Sequence, residues 1–384
     1  MLRFLTAGES HGQALVTIVE GLPAGLPITV DAVSAELARR RLGYGRGPRM
    51  RLERDEVTIL AGVRHGLTLG SPVAVQIGNT EWSKWEAEMS AAPGSSDKPL
   101  TAPRPGHADL AGMQKYGLDD ARNVLERASA RETAARSVAG VLSKVLLKQL
   151  DIDVFSHVVA IGPVQSKRAE RPCPQDLAAI DASAVRCFDP EAEADMIREI
   201  ETAGPAGDSL GGVAEVIATS VPVGLGSHVH WDRRLDARLA AALMSIQAVK
   251  GVEIGDGFES ATRRGSEGHD AITWNQDDGY HRTTDRAGGI EGGMSIGGAI
   301  RARVAMKPLA TLRRPAIATV DTVTKEETKS FVERTDVTAV PAMGVVAEAM
   351  VAYVLADEAL RKFGGDSVDE FTRNHHAFLD SLRG

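Results

Sequence analysis

The sequence is poor in cysteine and in aromatic residues. Among its 384 residues, aromatic side chains make up 4%, and the two cysteines are Cys173 and Cys187. Neither cysteine has a second Cys or a His at zinc-ligand spacing, so we expect neither a disulfide scaffold nor a zinc module. No stretch approaches the roughly 18 apolar residues of a membrane span, and residues 1–8 lack the apolar segment of a signal peptide. The sequence therefore predicts a cytoplasmic protein that does not enter a membrane.

Several ligand-binding signatures are also absent. No Gly is followed by Lys, and neither G-x-G-x-x-G nor H-E-x-x-H occurs. P-loop, Rossmann and zincin interpretations therefore lose their defining motifs. The formal net charge of −8 argues against a nucleic-acid partner. We predict no metal site, because His228 and His230 lie near Asp232 without a convincing third ligand.

The composition and patterning that are present indicate a globular mixture of helices and strands. With 43% apolar residues, the chain can bury a large core, and its length suits two domains or one large layered domain. Helix patterns occur at 31–43, 133–150, 232–249 and 345–363, and another helix begins at Asp189-Pro190. Strand patterns occur at 2–6, 14–20, 56–60, 73–77, 154–161, 213–221 and 299–306. Because the strands cluster and alternate in polarity, we predict an α+β layered fold with antiparallel sheets.

The segment Gly8-Glu-Ser-His-Gly12 matches the G-x-S-x-G nucleophile elbow, so a serine hydrolase that uses Ser10 is an alternative. An elbow needs a sheet already built around it, and seven residues precede this segment. The segment also suits a purely structural turn, or a turn between two strands that presents Ser10 and His11 to a pocket.

Arginine is strongly preferred over lysine. The segment 39–54 holds seven arginines around a glycine-rich centre. A solvated basic loop or an RNA-binding strip would also be arginine-rich, but the acidic chain offers few aromatic residues for stacking. A pocket for a small ligand with several negative charges fits better, because arginine forks match carboxylates and phosphates.

Three further segments combine ligand-binding residue types. Arg104-Pro-Gly-His-Ala-Asp109 lies in a Pro/Gly-rich loop, and Arg127-Ala-Ser-Ala-Arg-Glu-Thr133 opens a helix. A helix N-terminus with Ser, Thr and Arg suits capping or anion binding equally. The segment 288–298 contains six glycines in eleven residues, which suggests backbone lying close to a ligand.

Together these segments resemble the chorismate synthase family, and the likeness covers essentially the whole chain. The blocks that carry it, in family order, are Gly8–Gly12, 39–51, 104–109, 127–133, 247–257, 288–298, and Arg334-Thr-Asp336 with Ala339-Val-Pro341. The phrase Arg39-Arg-Arg-Leu-Gly-Tyr-Gly-Arg-Gly is most similar to actinobacterial members. The resemblance implies one large domain over 1–384, a β-α-β sandwich with pseudo-symmetric halves, and a homotetramer.

The resemblance also implies a reaction. It is the anti-1,4-elimination of phosphate and the C6 hydrogen from 5-enolpyruvylshikimate 3-phosphate, which gives chorismate and needs reduced FMN without net oxidation. By the family pattern His11 is the acid for the leaving phosphate, and His107 lies against the N1 side of the flavin. Asp336, with Ser10 and Ser129, relays the proton that the flavin N5 takes.

Binding residues follow from the same resemblance. The residues it assigns to FMN are Arg127, Ala128, Ser129, Gln247, Ala248, Gly292, Lys307, Pro308, Leu309, Ala310, Thr311 and Arg334. The substrate or NADP set is Arg40, Arg46, Arg49, Arg104 and Arg131. Ala310 departs from the family, which usually has a small hydroxyl residue there. Since most bacterial members do not reduce their own flavin, we expect an external flavin reductase as partner.

Overall fold

The strands and helices form two groups, each built on an antiparallel sheet. The computed structural model describes residues 1–47, 55–96, 98–276, 279–312, 317–331 and 336–382. Within these ranges the α-helices are α1 Val30–Arg40, α2 Trp82–Trp85, α3 Asp109–Tyr116, α4 Arg122–Ala128, α5 Thr133–Lys148, α6 Leu177–Ala182, α7 Pro190–Ala206, α8 Leu235–Met244, α9 Gly257–Ser260, α10 Gly265–Gly268, α11 Val340–Phe363 and α12 Val368–Ser381. The strands are β1 Arg3–Ala7, β2 Ala14–Glu20, β3 Glu56–Ala61, β4 Val63–Arg64, β5 Leu67–Thr68, β6 Val73–Gly78, β7 Asp153–Ile161, β8 Val164–Gln165, β9 Gly212–Val221, β10 Val249–Ile254, β11 Ile272–Asn275, β12 Gly279–Arg282, β13 Ile290–Glu291, β14 Met294–Ser295, β15 Gly298–Met306, β16 Ala318–Val320 and β17 Glu327–Lys329.

The first sheet has the strand order β1-β2-β6-β3, and every neighbouring pair is antiparallel. Leu15 and Val19 of β2, and Val73, Val75 and Ile77 of β6, are at most 1% exposed. Because side chains alternate between the faces of a strand, these residues share one face. Helices α1 and α5 pack against this sheet.

The second sheet has the order β10-β15-β9-β7-β8 and is also antiparallel. Ala302 and Val304 of β15 pair with Val216 and Ala214 of β9, and all four are buried. Helix α11 packs on β7 and β9 of this sheet. The helices therefore lie between the two sheets, which confirms the predicted α+β sandwich.

The other face of the second sheet buries charged groups beside the apolar side chains of Phe155 and Ile217. Glu215 of β9 contacts Arg303 of β15 at 2.9 Å and His157 of β7 at 3.4 Å. Burial alone would raise the pKa of Glu215, but hydrogen bonds and charge from His157 and Arg303 lower it to about 2. This carboxylate is therefore ionised at neutral pH.

Helices α5 and α11 touch backbone to backbone. A Cβ atom built on Gly140 of α5 would lie 2.2 Å from the Cβ of Ala349 in α11. No side chain larger than hydrogen fits at position 140, because protein interiors are already close-packed. This contact fixes how α5 and α11 lie against each other.

A buried ion cluster, which we name the Glu348 cluster, joins the helical layer to β7. Glu348 is 0% exposed and accepts from Ser156 of β7 at 2.7 Å, from Arg39 at 2.7 Å and from Arg186 at 3.1 Å. The charged members are the cations Arg39, Lys144 and Arg186 and the carboxylates Glu36, Asp181 and Glu348. Burial would raise the pKa of Glu348, but its three cations lower it well below the ordinary value.

Several element ends differ from the sequence prediction. Helix α1 is capped by Thr29, which accepts from the Ala32 amide, whereas Asp31 lies in the first turn. Helix α8 ends at Met244 because Val249 begins β10. The prediction that Asp189 caps α7, with Pro190 at its first position, is confirmed.

Helix α11 corrects two predictions. It begins at Val340, five residues before the predicted start, because Pro341 is tolerated in a first helical turn. It also contradicts the expectation that no apolar stretch approaches membrane-span length. Among the described residues it alone is long and apolar enough to cross a membrane, and 94% of its apolar window is buried inside the protein. That burial is typical of a core helix.

Candidate functional site

A cavity of about 260 Å³, here called the central pocket, lies where several conspicuous sequence segments meet. The first turns of α5 and α11 contribute Thr133 and Ala342 to its wall. The positive ends of two helix dipoles therefore border one space, which favours anions. Predicted site residues in its lining are Ser10, Arg40, Arg46, Ser129, Arg131, Gln247, Ala248, Leu309 and Asp336.

Among the described residues, three arginines and one carboxylate line the central pocket. Arg131 is held by Asp55 at 2.5 Å and by the amide oxygen of Asn79 at 3.0 Å. Arg46 lies 3.0 Å from Asp336, and its Nη1 is buried without a hydrogen-bond partner among the described residues. Arg40, the last residue of α1, is 4% exposed. Desolvated guanidinium groups of this kind are strong sites for carboxylates and phosphates.

A second cavity of about 500 Å³, the side cavity, adjoins the central pocket at Arg46. Its wall combines the loop around Tyr44 with the end of α7, including Glu201 and Pro205. Together the two cavities provide the volume typical of small-molecule sites.

Ser10 and His11 lie in the turn between β1 and β2. The Ser10 amide donates to the Glu126 carbonyl at 3.0 Å, and Ser129 Oγ lies 3.3 Å from Ser10 Oγ. A nucleophile elbow joins a strand to a helix, whereas this turn joins two antiparallel strands. The geometry therefore does not support the serine hydrolase alternative.

His11 itself is paired with a buried carboxylate. Its Nδ1 lies 2.9 Å from Glu126 Oε1, and its amide donates to Glu126 Oε2 at 2.8 Å. Burial would raise the pKa of Glu126, but the hydrogen bond and charge of His11, followed by the charge of Arg122, lower it. His11 is not among the residues that line the central pocket, although its neighbour Ser10 is.

His107 has an equivalent carboxylate partner in Asp109, the first residue of α3. Asp109 is 0% exposed and contacts His107 Nδ1, while Arg104 donates to it at 2.9 Å. Burial would raise the pKa of Asp109, but the hydrogen bonds of His107 and Arg104 lower it far below its ordinary value. Arg104 is therefore engaged with Asp109 and His107, and it does not line the central pocket.

The stretch 307–311 lies beside the His107 loop. Lys307 donates to the Gly106 carbonyl, and Arg104 donates to Thr311 Oγ1 at 3.0 Å. The Cβ of Ala310 lies 3.7 Å from the position that a Gly106 Cβ would occupy. This stretch therefore connects the His107 loop to the central pocket, whose wall includes Leu309.

The remaining predicted residues are spread more widely. Arg127 donates to the carbonyls of Thr6 and Gly8, at 2.9 and 3.1 Å. Gly292, with a φ of +58°, lies in the turn between β13 and β14 and is not part of the pocket wall. Arg49 and Arg334 lie outside the described residues.

Sequence reasoning missed several residues that organise the site. Asn79 links Arg131 to the turn between β1 and β2, because it accepts a hydrogen bond from Arg131 and donates one to the Gly12 carbonyl at 2.7 Å. Glu126, Asp109 and Asp55 each neutralise part of the positive charge. Asp109 lies two residues after His107 in the segment 104–109, and Glu126 immediately precedes Arg127. No spacing rule identifies either carboxylate as the partner of a histidine.

Comparison with known proteins identifies the family. The profile described as Chorismate synthase matches residues 2–360. Similar proteins named chorismate synthase come from Thermobifida fusca (60% identical, covering 100% of this chain and 99% of the relative) and Micrococcus luteus (60%, covering 98% and 94%). A solved structure titled Crystal Structure of Chorismate Synthase is 41% identical, has a TM-score of 0.81, and covers 100% of this chain and 98% of that one. These matches confirm the resemblance, including its actinobacterial character, and the chain is an enzyme that belongs to the chorismate synthase family of lyases.

Proposed function

We propose that this enzyme forms chorismate by the anti-1,4-elimination of phosphate and the C6 hydrogen from 5-enolpyruvylshikimate 3-phosphate, with reduced FMN as cofactor. The observation that carries the proposal is the positive charge of the central pocket, whose described wall holds Arg40, Arg46 and Arg131 together with Asp336, with Asp55 paired to Arg131. A substrate with two carboxylates and a phosphate complements such a surface. The substrate or NADP role of Arg40 and Arg46 is part of the same proposal.

The residues around the pocket fit a flavin. Gln247 Oε1 is buried without a hydrogen-bond partner among the described residues, and it can accept an N–H from the isoalloxazine ring. Ala248, next to it, has a φ of +67°, a strained conformation that persists where the surroundings fix it. The proposed FMN residues Gln247, Ala248, Ser129 and Leu309 share the pocket wall. When bound, reduced FMN would supply electron density transiently and recover it, so no net oxidation results.

The chain's own residues then have separate tasks. The pocket arginines bind and orient the anionic groups, and burial of the site excludes water. His11 donates a proton to the departing phosphate, which is feasible for an imidazole near neutral pH. Ser10 and Ser129, whose hydroxyl groups lie 3.3 Å apart, and Asp336 across the same pocket hold a proton near the reacting centre.

Anaerobic turnover tests this proposal. Purified protein is mixed with 5-enolpyruvylshikimate 3-phosphate and photoreduced FMN, and chorismate and phosphate are followed against an oxidised-FMN control. We expect equimolar products with reduced flavin alone. Flavin binding without any product would contradict the proposed reaction.

The same proposal extends to assembly and electron supply. We propose one domain over 1–384, since the apolar core runs without interruption from Leu2 to Phe371, and a homotetramer in the cytoplasm. The electron source is an external flavin reductase. Aerobic turnover with NADPH and FMN but without an added reductase would contradict that part.

A further inference from the structure

His11 forms a closed ring with three other side chains, which we name the His11 ring. His11 Nδ1 lies 2.9 Å from Glu126, and the imidazole lies 4.1 Å from the ring centre of Trp85. Arg122 completes the ring, because its Nη1 lies 3.0 Å from Glu126 and its guanidinium carbon lies 4.9 Å from the Trp85 ring centre. Glu126 and Arg122 come from α4, whereas Trp85 comes from α2, so two separate elements meet on His11.

Glu126 can set both the tautomer and the charge of His11. It is 2% exposed, and it is the acceptor for Nδ1 and for the backbone amide of His11. A carboxylate at Nδ1 keeps a proton on that nitrogen, as carboxylate partners do for catalytic and metal-binding histidines. The carboxylate also places a negative charge 2.9 Å from the imidazole nitrogen.

We propose that Glu126 is a positioning residue that keeps His11 protonated, with Nδ1–H directed at Glu126, so that Nε2–H is the proton delivered to the departing phosphate. This inference rests on the elimination proposed above. The phosphate leaves with the electron pair of its C–O bond, the Nε2–H bond breaks, and an O–H bond forms on the phosphate. His11 is left neutral and regains its proton from solvent.

Arg122 opposes Glu126 within the His11 ring. It shares Oε1 of Glu126 with His11 and therefore reduces the negative charge that His11 experiences. Charged groups nearby in the described part of the chain include Glu9, in the same turn as His11, and Glu88, which lies 3.8 Å from Arg122. Trp85 carries no charge. Substitution of Glu126 and of Arg122 should therefore move the His11 titration in opposite directions.

The fluorescence of Trp85 reports this titration without substrate or flavin. An imidazolium in contact with an indole quenches its emission, so emission should fall as His11 takes up its proton. The full-length chain with Trp82→Phe, Trp231→Phe and Trp274→Phe keeps Trp85 as its single tryptophan. Substitution of His11 by Ala in this background should abolish the pH-dependent change and so assign it to His11.

The variants give signed results. Glu126→Gln should lower the midpoint by about 1 to 3 pH units, since it removes a buried opposite charge, and Arg122→Gln should raise it. Glu126→Asp keeps the charge and should restore a midpoint near that of the parent. The matched control is Asp109→Asn, which makes the same change at the carboxylate of His107 and should leave the Trp85 midpoint unchanged. A midpoint that Glu126→Gln does not move overturns the proposal.

Kinetics provide a second measurement with all tryptophans present. In Glu126→Gln the alkaline limb of the kcat profile for chorismate formation should move to lower pH, with KM little changed, and Glu126→Asp should recover it. A uniform loss of kcat without a shifted limb contradicts the positioning role. If the parent protein forms no chorismate, the proposed function fails, whereas the fluorescence result still decides whether Glu126 controls His11.

Discussion

The Glu348 cluster and the central pocket are both built from buried arginines, yet the charges are balanced differently. In the Glu348 cluster three cations meet three carboxylates. Among the described residues of the central pocket, Arg40, Arg46 and Arg131 meet Asp336 in the wall and Asp55 behind Arg131, which leaves an excess of positive charge. Balanced charge stabilises the position of helices, while an excess of one sign leaves binding capacity for a ligand of the other sign. The balance of opposite charges, more than the number of arginines, distinguishes the structural Glu348 cluster from the ligand-binding central pocket.

The largest effect should come from breaking the balanced cluster. Glu348→Gln leaves Arg186 and its neighbouring cations buried without their common counter-charge, and such losses cost about 3–5 kcal/mol. We expect the free energy of unfolding in urea to fall by that amount. Glu327→Gln, an exposed carboxylate on β17, is the control and should change stability by less than about 0.5 kcal/mol. Equal stability of the two variants would show that the balance has no structural role.

Glu215 provides a test of whether a second cluster of balanced charges also stabilises the fold. Its pKa in the folded protein is about 2, against an ordinary value of 4.5, so ionised Glu215 stabilises the fold above pH 4.5. That contribution, up to about 3 kcal/mol, should be lost as the pH falls from 4.5 to 2. Unfolding free energies of the parent and of Glu215→Gln, measured across this range, should converge toward low pH. A constant difference would contradict the assignment.

Removing an arginine from the central pocket should weaken ligand binding and leave the stability of the fold nearly unchanged. Arg46→Ala removes a buried guanidinium that has few partners of its own, so we expect the substrate KM to rise about 10- to 100-fold. Binding of oxidised FMN and the urea midpoint should change little. The control is Arg198→Ala, whose side chain is 70% exposed. A variant that loses flavin affinity more than substrate affinity would move Arg46 to the flavin site.

The smallest effect should come from Asn79, which orients a pocket arginine and holds the turn at Gly12 but does not line the pocket. Asn79→Ala removes one acceptor from Arg131 but leaves Asp55 in place. A hydrogen bond to a charged group contributes about 1.5–3 kcal/mol, but Asp55 continues to hold Arg131, so KM should rise about twofold to tenfold. Asn123→Ala, on α4 and outside the pocket wall, serves as a control. An effect as large as that of Arg46→Ala would mean that Asn79 contacts the ligand directly.

The sequence predicted those features that depend on local chemistry. The start of α7 at Asp189-Pro190 and the strand at β15 follow from residue type and period, and both are confirmed. The alternation in β15 did not reveal that Arg301 is as buried as its apolar neighbours. The gathering of distant arginine segments into one pocket came from the family resemblance, because nothing local relates Arg40 to Arg131.

Other features depend on long-range partners and could not be read locally. Glu348 and Arg186 are 162 positions apart, and Glu126 and His11 are 115 apart. A carboxylate in a helix is typical of a solvated face, so its burial can be recognised only when the opposite element is known. The start of α11 at Val340 was missed for a different reason. Proline is usually taken as a helix breaker, although it is tolerated in the first turn, where Pro341 lies.

The glycine contact between α5 and α11 has a consequence for the reaction site. Thr133 and Val340, the first residues of these helices, lie seven and nine positions from Gly140 and Ala349, or about 10 to 14 Å along the helix axes. The absence of a side chain at Gly140, where α5 and α11 cross, therefore sets the width of the central pocket. In a screen of variants for altered substrate preference, substitutions at position 140 should change the pocket although this residue contacts no ligand.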